Sequence, residues 1–212
     1  LKKNYIGFGY SRTNKINHKN FRFIKIDLGS QTSIKKMILP EIKKDMEVIL
    51  INNAATIGSI LPLDEKSKFD IIYEYQLNLI TPVLLVKQFI NKYPSNKKLI
   101  INISSGAANS AIAGWSTYCS SKSALDALTN VIHEEDHKNV QIFSILPGVV
   151  NTKMQQDIRN ANPEKFPLLD KFIDYYDNNK LFTSNYVAQK IATIIQNSNN
   201  FKSKIINIRD FE

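Results

Sequence analysis

The chain has 212 residues, of which 43% are apolar and 22% are charged, a composition typical of a globular domain with one core. This balance excludes long disorder and collagen-like structure, and no apolar run approaches the ~18 residues of a membrane span. The net charge of +9 favours anionic partners, and a single cysteine, Cys119, fits a reducing compartment, so we expect a cytoplasmic location.

Segments with strand character alternate with segments of helical spacing along the chain. We predict strands over residues 4–10, 21–26, 47–51, 98–103, 140–146 and 204–208. We predict helices over residues 32–44, 67–93, 116–133 and 184–196, with a break at Pro82 and Ser184 as the N-cap of the last helix. This alternation predicts a single α/β domain over residues 1–212, in which a doubly wound, mostly parallel sheet carries helices on both faces.

Polar or turn residues follow five of the predicted strands. They are Arg12, Asp27, Asn52-Asn53, Ser104-Ser105 and Pro147-Gly148. Because the carboxyl ends of parallel strands meet at one edge of a sheet, where α/β proteins bind their ligands, we expect the functional site at this edge.

A tyrosine stands four residues before a lysine at four places in the chain: Tyr93/Lys97, Tyr118/Lys122, Tyr176/Lys180 and Tyr186/Lys190. On a helix the two side chains share one face, and a nearby ammonium group lowers the pKa of a phenol, so such a pair is an adjustable acid and base. Only Tyr118/Lys122 follows a strand-end hydroxyl, since Ser105 stands 13 residues before Tyr118. For the other three pairs we favour chance spacing.

Five motifs occur together in this order: Asn-Asn-Ala-Ala at 52–55, Asn78, Ile-Ser-Ser-Gly at 103–106, Tyr118-x-x-x-Lys122 and Pro147-Gly148-x-x-x-Thr152. This set resembles the short-chain dehydrogenase/reductase family over essentially the whole chain. Within the family it most resembles the branch that contains sepiapterin reductase and bacterial benzil reductase. The resemblance implies a Rossmann-type fold.

The resemblance implies four catalytic residues. Tyr118 would donate a proton to a carbonyl oxygen, Lys122 would lower the pKa of Tyr118 and hold the nicotinamide ribose, and Ser105 would bind the substrate oxygen. Asn78 would anchor a proton-relay water, with a surface polar residue of its helix as the alternative. Ser105 could instead only cap a turn or helix.

The resemblance also implies contacts to a nicotinamide cofactor from Ser11, Arg12, Asp27, Asn53, Ala54, Tyr118, Lys122, Pro147, Gly148, Val150 and Thr152. Arg12 stands where a basic residue would pair with the 2′-phosphate of NADP, and no acid is nearby, so we favour NADP(H) over NAD. The alternatives are a solvated Arg12, a turn cap at Asp27, a helix cap at Thr152, and an Asn53 that stabilises the sheet.

Ser105, Trp115 and Met154 are the candidate substrate contacts, although plain core is an equal alternative for Trp115 and Met154. Residues 153–182 would form a substrate lid, and its aromatic side chains indicate an apolar or aromatic carbonyl compound. We predict no metal site.

The family's glycine-rich phosphate turn is not found in this sequence. Gly7-Phe8-Gly9 lacks the third glycine and is followed by a polar loop, so we reject it as a phosphate cradle. We therefore expect that the chain as given lacks the family's first strand and helix. The strands at 4–10 and 47–51 would then face each other across a gap at the centre of the sheet.

The expected function is an NADP(H)-dependent oxidoreductase that reduces the carbonyl of an aromatic ketone, a diketone or a pterin side chain to an alcohol. The alternative is a catalytically inactive or truncated family member that acts as a binding or structural subunit. The lysines are dispersed along the chain, so we exclude nucleic acid as a partner. We also exclude a membrane, because no apolar run approaches the length of a membrane span. We expect a homodimer or homotetramer that pairs through apolar helix faces around residues 69–89 and 121–132.

Overall fold

A computed structural model of the chain describes residues 5–211, so the predicted start of the first strand at residue 4 lies outside the described residues. The described strands are β1 Gly7–Ser11, β2 Phe21–Lys25, β3 Val48–Asn52, β4 Lys98–Ile103, β5 Val140–Leu146 and β6 Ile205–Asn207. The described α-helices are α1 Gln31–Lys35, α2 Lys68–Tyr75, α3 Thr81–Lys92, α4 Ser116–Glu134, α5 Lys153–Arg159, α6 Leu169–Asp177 and α7 Ser184–Gln196. The predicted α/β fold is confirmed.

The parallel strands form two separate pieces of sheet. β1 pairs with β2, and β3, β4, β5 and β6 pair in that order, all in parallel. Among the described residues no backbone pairing joins β1 to β3, and the predicted break in the sheet is therefore seen between these two strands. The two pieces still share one apolar core, because Tyr10 and Ile26 pack with Val48 and Ile100.

Helices cover both faces of the larger piece of sheet. Ile100 of β4 packs in one core cluster with Leu85 of α3, whereas its neighbour Ile101 packs in another with Ile194 of α7. Successive side chains of a strand point to opposite faces, and a strand covered on both faces is a continuous apolar run. This explains why the sequence of β4 shows no alternation between apolar and polar residues.

A layer of buried polar side chains crosses the larger piece near the carboxyl ends of its strands. Asn52 donates to Asn102 at 2.8 Å, and Asn102 donates to Thr129 of α4 at 3.0 Å. The hydroxyl of Ser144 on β5 donates to Asp126, which also lies on α4. These bonds fasten α4 to the sheet below the candidate site.

The predicted helix over residues 67–93 is interrupted before Pro82 rather than at it. Residues Gln76–Ile80 form a π-helical turn between α2 and α3, and the amide of Thr81 donates to the carbonyl of Gln76, five residues back. Pro82 lies in the first turn of α3, where its missing N–H is tolerated. Single π-turns inside helices often occur at functional sites, and this one contains Asn78.

Two other predictions about elements need correction. The helix predicted over residues 32–44 is only the five-residue α1, because Met37 and Leu39 are buried while Ile38 is 77% exposed, an alternation typical of extended chain. Thr183, and not Ser184, caps α7, and its side chain accepts a hydrogen bond from the amide of Tyr186. The segment expected to form the lid, residues 153–182, contains α5 and α6.

No helix among the described residues is long and apolar enough to cross a membrane.

Candidate active site

Tyr118 and Lys122 lie one turn apart on α4 and are almost completely buried, at 7% and 3% exposure. The Lys122 ammonium nitrogen is 5.8 Å from the centre of the Tyr118 ring and donates to the carbonyl oxygen of Ile103 at 2.7 Å. The last residue of β4 therefore holds the lysine beside the tyrosine.

Ser105 reaches the same point from the carboxyl end of β4. Its side chain accepts a hydrogen bond from the amide of Ala107 at 3.2 Å, so it does cap the short 3₁₀ turn that follows. It also forms a hydrogen bond with the Tyr118 side chain. The structure thus brings together Ser105, Tyr118 and Lys122, the three groups that the sequence pattern placed at this edge.

Burial is the largest influence on the pKa values of Tyr118 and Lys122. It raises the pKa of Tyr118 above the ordinary value of a phenol, although the hydrogen bond with Ser105 opposes this rise. Burial also lowers the pKa of Lys122 to about 8, against the opposing charge of Asp126. The expected lowering of the Tyr118 pKa by Lys122 is therefore not observed, because the protein interior disfavours the charged form of the phenol.

Asn78 is 1% exposed, which excludes the alternative that it is a surface residue of its helix. Its side-chain oxygen accepts from the amide of Thr56 at 2.9 Å, and its side-chain nitrogen donates to the Thr56 carbonyl at 2.9 Å. The side chain is thus used to hold the loop after β3. Pro82 has no amide hydrogen to offer the Asn78 carbonyl four residues back, so this backbone oxygen lacks its usual helical donor.

The predicted nicotinamide side of the site is the turn after β5. Gly148 has φ of +74°, and a Cβ at this position would lie 2.8 Å from the Phe182 ring, so only glycine fits. Val150 forms a parallel bridge to Phe182, which holds the turn against the segment that leads into α7. Thr152 directly precedes α5, but its exposed side chain makes no cap hydrogen bond. The alternative that Thr152 only caps this helix is therefore wrong.

The Asn-Asn pair at the end of β3 has one buried and one exposed member. Asn53 and its neighbour Ala54 are exposed, while Asn52 is buried and bonded to Asn102. The residue that stabilises the sheet is therefore Asn52 and not Asn53. Asn53 and Ala54 face outward at the strand-end edge, where a ligand could reach them.

The predicted adenosine side lies at the carboxyl end of the smaller piece of sheet. The Ser11 hydroxyl donates to the Thr13 carbonyl at 2.6 Å, and exposed Arg12 donates to the Tyr73 hydroxyl at 3.3 Å. One carboxylate oxygen of Asp27 accepts from the amide of Gly29 at 2.9 Å, so this aspartate does cap a turn.

An open cleft of about 670 Å³ adjoins these residues, a volume in the usual range for small-molecule sites. Arg12, Lys25 and Lys36 line it together with one acid, Asp27. This surplus of positive charge fits the phosphate-bearing end of a nicotinamide dinucleotide.

No glycine-rich turn leading into a helix, which is where dinucleotide folds hold the diphosphate, occurs in the part of the chain that the structure describes. Gly9 lies inside β1, and a Cβ there would be 2.3 Å from the Phe21 ring, so Gly7-Phe8-Gly9 is not a phosphate turn. Across residues 5–211 no cluster of three or more His, Cys, Asp or Glu side chains is arranged to hold a metal ion.

An aromatic cluster covers Tyr118 on the side of the predicted lid. Trp115 packs edge-on to Tyr118, with ring centres 5.7 Å apart, and stacks on Phe166 at 5.4 Å. Phe172 packs against the rings of Trp115 and Phe166, and partly buried Met154 contacts the same cluster. Trp115 and Met154 therefore belong both to a local core and to the wall next to Tyr118.

Two residues near the site were missed by the sequence analysis. Thr56 binds Asn78 through its backbone alone, which leaves no signal in the sequence. Asp126 influences Lys122 and is 8% exposed. Its position four residues after Lys122 on α4 was a detectable signal, because residues at this spacing are neighbours on a helix.

The family model for short chain dehydrogenase matches residues 10–163. Benzil reductase ((S)-benzoin forming) of Bacillus subtilis (strain 168) is 31% identical over 222 positions, covering 100% of this chain and 91% of the relative. Sepiapterin reductase of Rattus norvegicus is 29% identical over 182 positions, covering 80% of this chain and 68% of the relative. A solved short chain dehydrogenase/reductase from Saccharomyces cerevisiae has a TM-score of 0.79 at 20% identity, covering 97% of this chain and 86% of that one. The chain therefore belongs to the short-chain dehydrogenase family, whose members are oxidoreductases that use nicotinamide cofactors.

Proposed function

We propose that this protein is an NADP(H)-dependent carbonyl reductase that converts an aromatic ketone, a diketone or a pterin side chain to an alcohol. The observation that carries the proposal is the contact of Ser105 and Lys122 with Tyr118 beneath an aromatic wall. A phenol, a hydroxyl and an ammonium group at one point are the set needed to protonate and stabilise a carbonyl oxygen during its reduction.

The bound cofactor supplies the hydride, and the residues of this chain orient the substrate and move the proton. Ser105 donates a hydrogen bond to the substrate oxygen and stabilises the charge that develops there. Tyr118 transfers its phenolic proton to the same oxygen. Because burial raises its pKa, the tyrosine carries this proton at neutral pH. The charge of Lys122 stabilises the phenolate that remains, and the residues around Gly148 and Thr152 hold the nicotinamide end.

The choice of NADP over NAD rests on Arg12. It is exposed at the end of β1, beside a cleft that also contains Lys25 and Lys36. A guanidinium group pairs with a phosphate through two parallel hydrogen bonds, whereas the ribose hydroxyls of NAD call for a carboxylate.

The proposed substrate class rests on the aromatic cluster and on the printed activities of the relatives. Trp115, Phe166 and Phe172 form a stacked aromatic cluster beside Tyr118. They are at most 8% exposed, so their flat apolar faces would meet a substrate only when the lid opens. Residues 153–182, which include Phe166 and Phe172, would act as a lid that opens to admit the substrate. Benzil reductase and sepiapterin reductase are named for aromatic substrates of this kind.

The test is a panel of aromatic diketones and pterins incubated with the full-length protein and either NADPH or NADH, followed by nicotinamide absorbance. We expect consumption of NADPH with at least one diketone, and a much slower reaction with NADH. If no carbonyl compound is reduced although NADPH binds, the inactive binding subunit becomes the better description.

Self-association is also part of the proposal, because apolar side chains project into solvent from the helices expected to pair. Phe69 and Ile72 on α2 are 74% and 68% exposed, and Val131 on α4 is 54% exposed. Such patches mark interaction sites. We expect a homodimer or homotetramer by light scattering at micromolar concentration, and Phe69→Glu should weaken it.

A further inference from the structure

A buried ion pair lies close to the candidate site but outside the set of residues assigned to it. Lys66 and Glu74 have side-chain exposures of 0% and 1%, and the Lys66 nitrogen is 2.7 Å from Oε2 and 3.0 Å from Oε1 of Glu74. Removing two charges from water is costly, and an apolar pair of similar volume often stabilises a core equally well. A pair kept at this position therefore needs a reason other than packing.

The Glu74 carboxylate joins two segments that are far apart in sequence. One oxygen accepts from the backbone amide of Ser59 at 2.9 Å, in the loop after β3. The other accepts from the hydroxyl of Thr117, in the first turn of α4, and Lys66 also donates to this hydroxyl at 3.0 Å. The neighbouring Gly58 makes room for these bonds, because a Cβ there would lie 1.9 Å from Oε1 of Glu74.

Both segments belong to the candidate site. Thr117 directly precedes Tyr118, and the N-cap of α4, Trp115, makes no side-chain cap hydrogen bond. The first turn of this helix is thus held by Glu74 and Lys66 instead of by a cap. Glu74 stands four residues before Asn78, which fixes the other end of the same loop through Thr56.

We propose that Glu74 and Lys66 are positioning residues that act through Thr117 to hold the first turn of α4 and, with it, the hydroxyl of Tyr118 at the reacting carbonyl. This inference rests on the proposed carbonyl reduction, and it adds a pair that never touches substrate. Displacing a reacting group by about 1 Å can cost ~100-fold in rate. Loosening this turn therefore lowers kcat much more than it weakens dinucleotide binding, because most of the expected cofactor contacts lie outside the first turn of α4.

The test removes the hydrogen bonds of the Thr117 hydroxyl while the shape of the side chain changes little. Thr117→Val removes the hydroxyl that Glu74 and Lys66 bind, and Thr117→Ser keeps it. In the full-length protein we expect Thr117→Val to lower kcat about tenfold with the KM for NADPH changed less than twofold. Thr117→Ser should retain the rate, and Glu74→Gln should resemble Thr117→Val where it folds.

A matched control distinguishes positioning from a general loss of stability. Lys98 is also a buried lysine, and it donates to the carbonyls of Tyr93 and Asn96 at the amino end of β4, away from the site. Lys98→Met should lower the unfolding temperature but leave kcat unchanged. Hydrogen exchange of residues 114–122 provides a readout without substrate, and it should quicken in Thr117→Val and not in Lys98→Met.

The outcomes separate this inference from the proposed function. Wild-type rates and exchange in Thr117→Val, in a protein whose Tyr118→Phe variant is inactive, overturn the inference and leave the carbonyl reductase standing. If the wild-type protein reduces no carbonyl, the proposed function fails, and the exchange of residues 114–122 still decides for or against the restraint on α4.

Discussion

The two pieces of the sheet differ in burial and in the chemistry that they carry. Five of the six residues of β4 are buried, whereas none of the five residues of β2 is. The deeply buried piece leads into Ser105 and packs under Tyr118 and Lys122, while the exposed piece ends at Arg12 and Asp27. The comparison teaches that the proton-transfer groups are held by the core and that the proposed phosphate contact lies at a solvated rim. Changes in the two pieces should therefore affect different measured quantities.

The largest expected effect is that of Tyr118→Phe in the buried piece. Loss of a positioned proton donor typically costs ~10²–10⁴-fold in rate, and we expect turnover to fall by this amount while NADPH binding changes little. Steady-state kinetics and a fluorescence titration with NADPH measure the two quantities. Tyr186→Phe is the matched control, since Tyr186 also stands four residues before a lysine, Lys190, whose nitrogen is 5.2 Å from its ring centre. Equal activity in both variants would remove Tyr118 from the mechanism.

The second prediction compares the stability of the two pieces directly. Ile101 on β4 is 0% exposed, and Ile24 on β2 is 36% exposed. Ile101→Ala should lower the free energy of unfolding by about 2–5 kcal/mol, because it leaves a cavity in a closely packed core. Ile24→Ala should change it by about 0.5 kcal/mol or less. Urea unfolding of both variants gives the values, and similar losses would mean that the pieces are equally well packed.

The third prediction concerns Arg12, at the exposed end of the smaller piece of sheet. Arg12→Ala should weaken NADPH binding and leave NADH binding nearly unchanged, because a charge-assisted hydrogen bond contributes about 1.5–3 kcal/mol. The preference for NADPH should fall by about 10- to 100-fold. Arg22→Ala is a suitable control, since Arg22 lies in β2 with its guanidinium over the Phe8 ring. A parallel loss of affinity for both cofactors in Arg12→Ala would show that Arg12 does not contact the 2′-phosphate.

The smallest expected effect is a shift of the pH profile in the buried piece. The pKa of Lys122 is lowered to about 8 by burial, and the charge of Asp126 opposes this lowering. Carbonyl reduction needs charged Lys122 to stabilise the phenolate, so the rate should decline as the pH rises through about 8. Asp126→Asn removes the opposing charge, which lowers the pKa of Lys122 further and moves the decline to lower pH, with a change of at most about tenfold at any one pH.

A pH–rate profile of reduction measures this shift, with exposed Asp45→Asn as the control. An unchanged or upward-shifted midpoint in Asp126→Asn would contradict the assigned influence of Asp126 on Lys122.

The sequence predicted the fold well where the pattern of apolar residues along the chain matches their burial in the structure. The bounds of β4 and β5 matched because both are predominantly apolar runs that end at polar or turn residues. The helix over residues 32–44 was wrong because Ile34, Met37 and Ile38 fit helical spacing, although the burial of their neighbours follows an extended chain.

The residues of the candidate site also divide into those that the sequence predicted and those that it did not. Ser105, Tyr118 and Lys122 could be predicted because each stands at a fixed distance from the end of β4 or along α4. The alternative that Asn53 stabilises the sheet was wrong, because Asn52 is the buried residue of the pair. Which of two adjacent residues faces the core depends on where the strand ends and on its neighbours. The contacts of Glu74 depend on a loop and a helix that meet only in the folded chain.

The polar layer under the site has a consequence for how the chain finds its fold. β3, β4 and β5 are similar apolar runs, and Asn52, Asn102 and Ser144 occupy matching positions in adjacent strands. Sliding one strand by a single residue would set an amide against an isoleucine and leave a buried polar group without a partner, which costs about 1–3 kcal/mol. Apolar burial alone would tolerate several alignments of these strands. The buried polar residues therefore favour the one register in which the functional residues at the strand ends lie together.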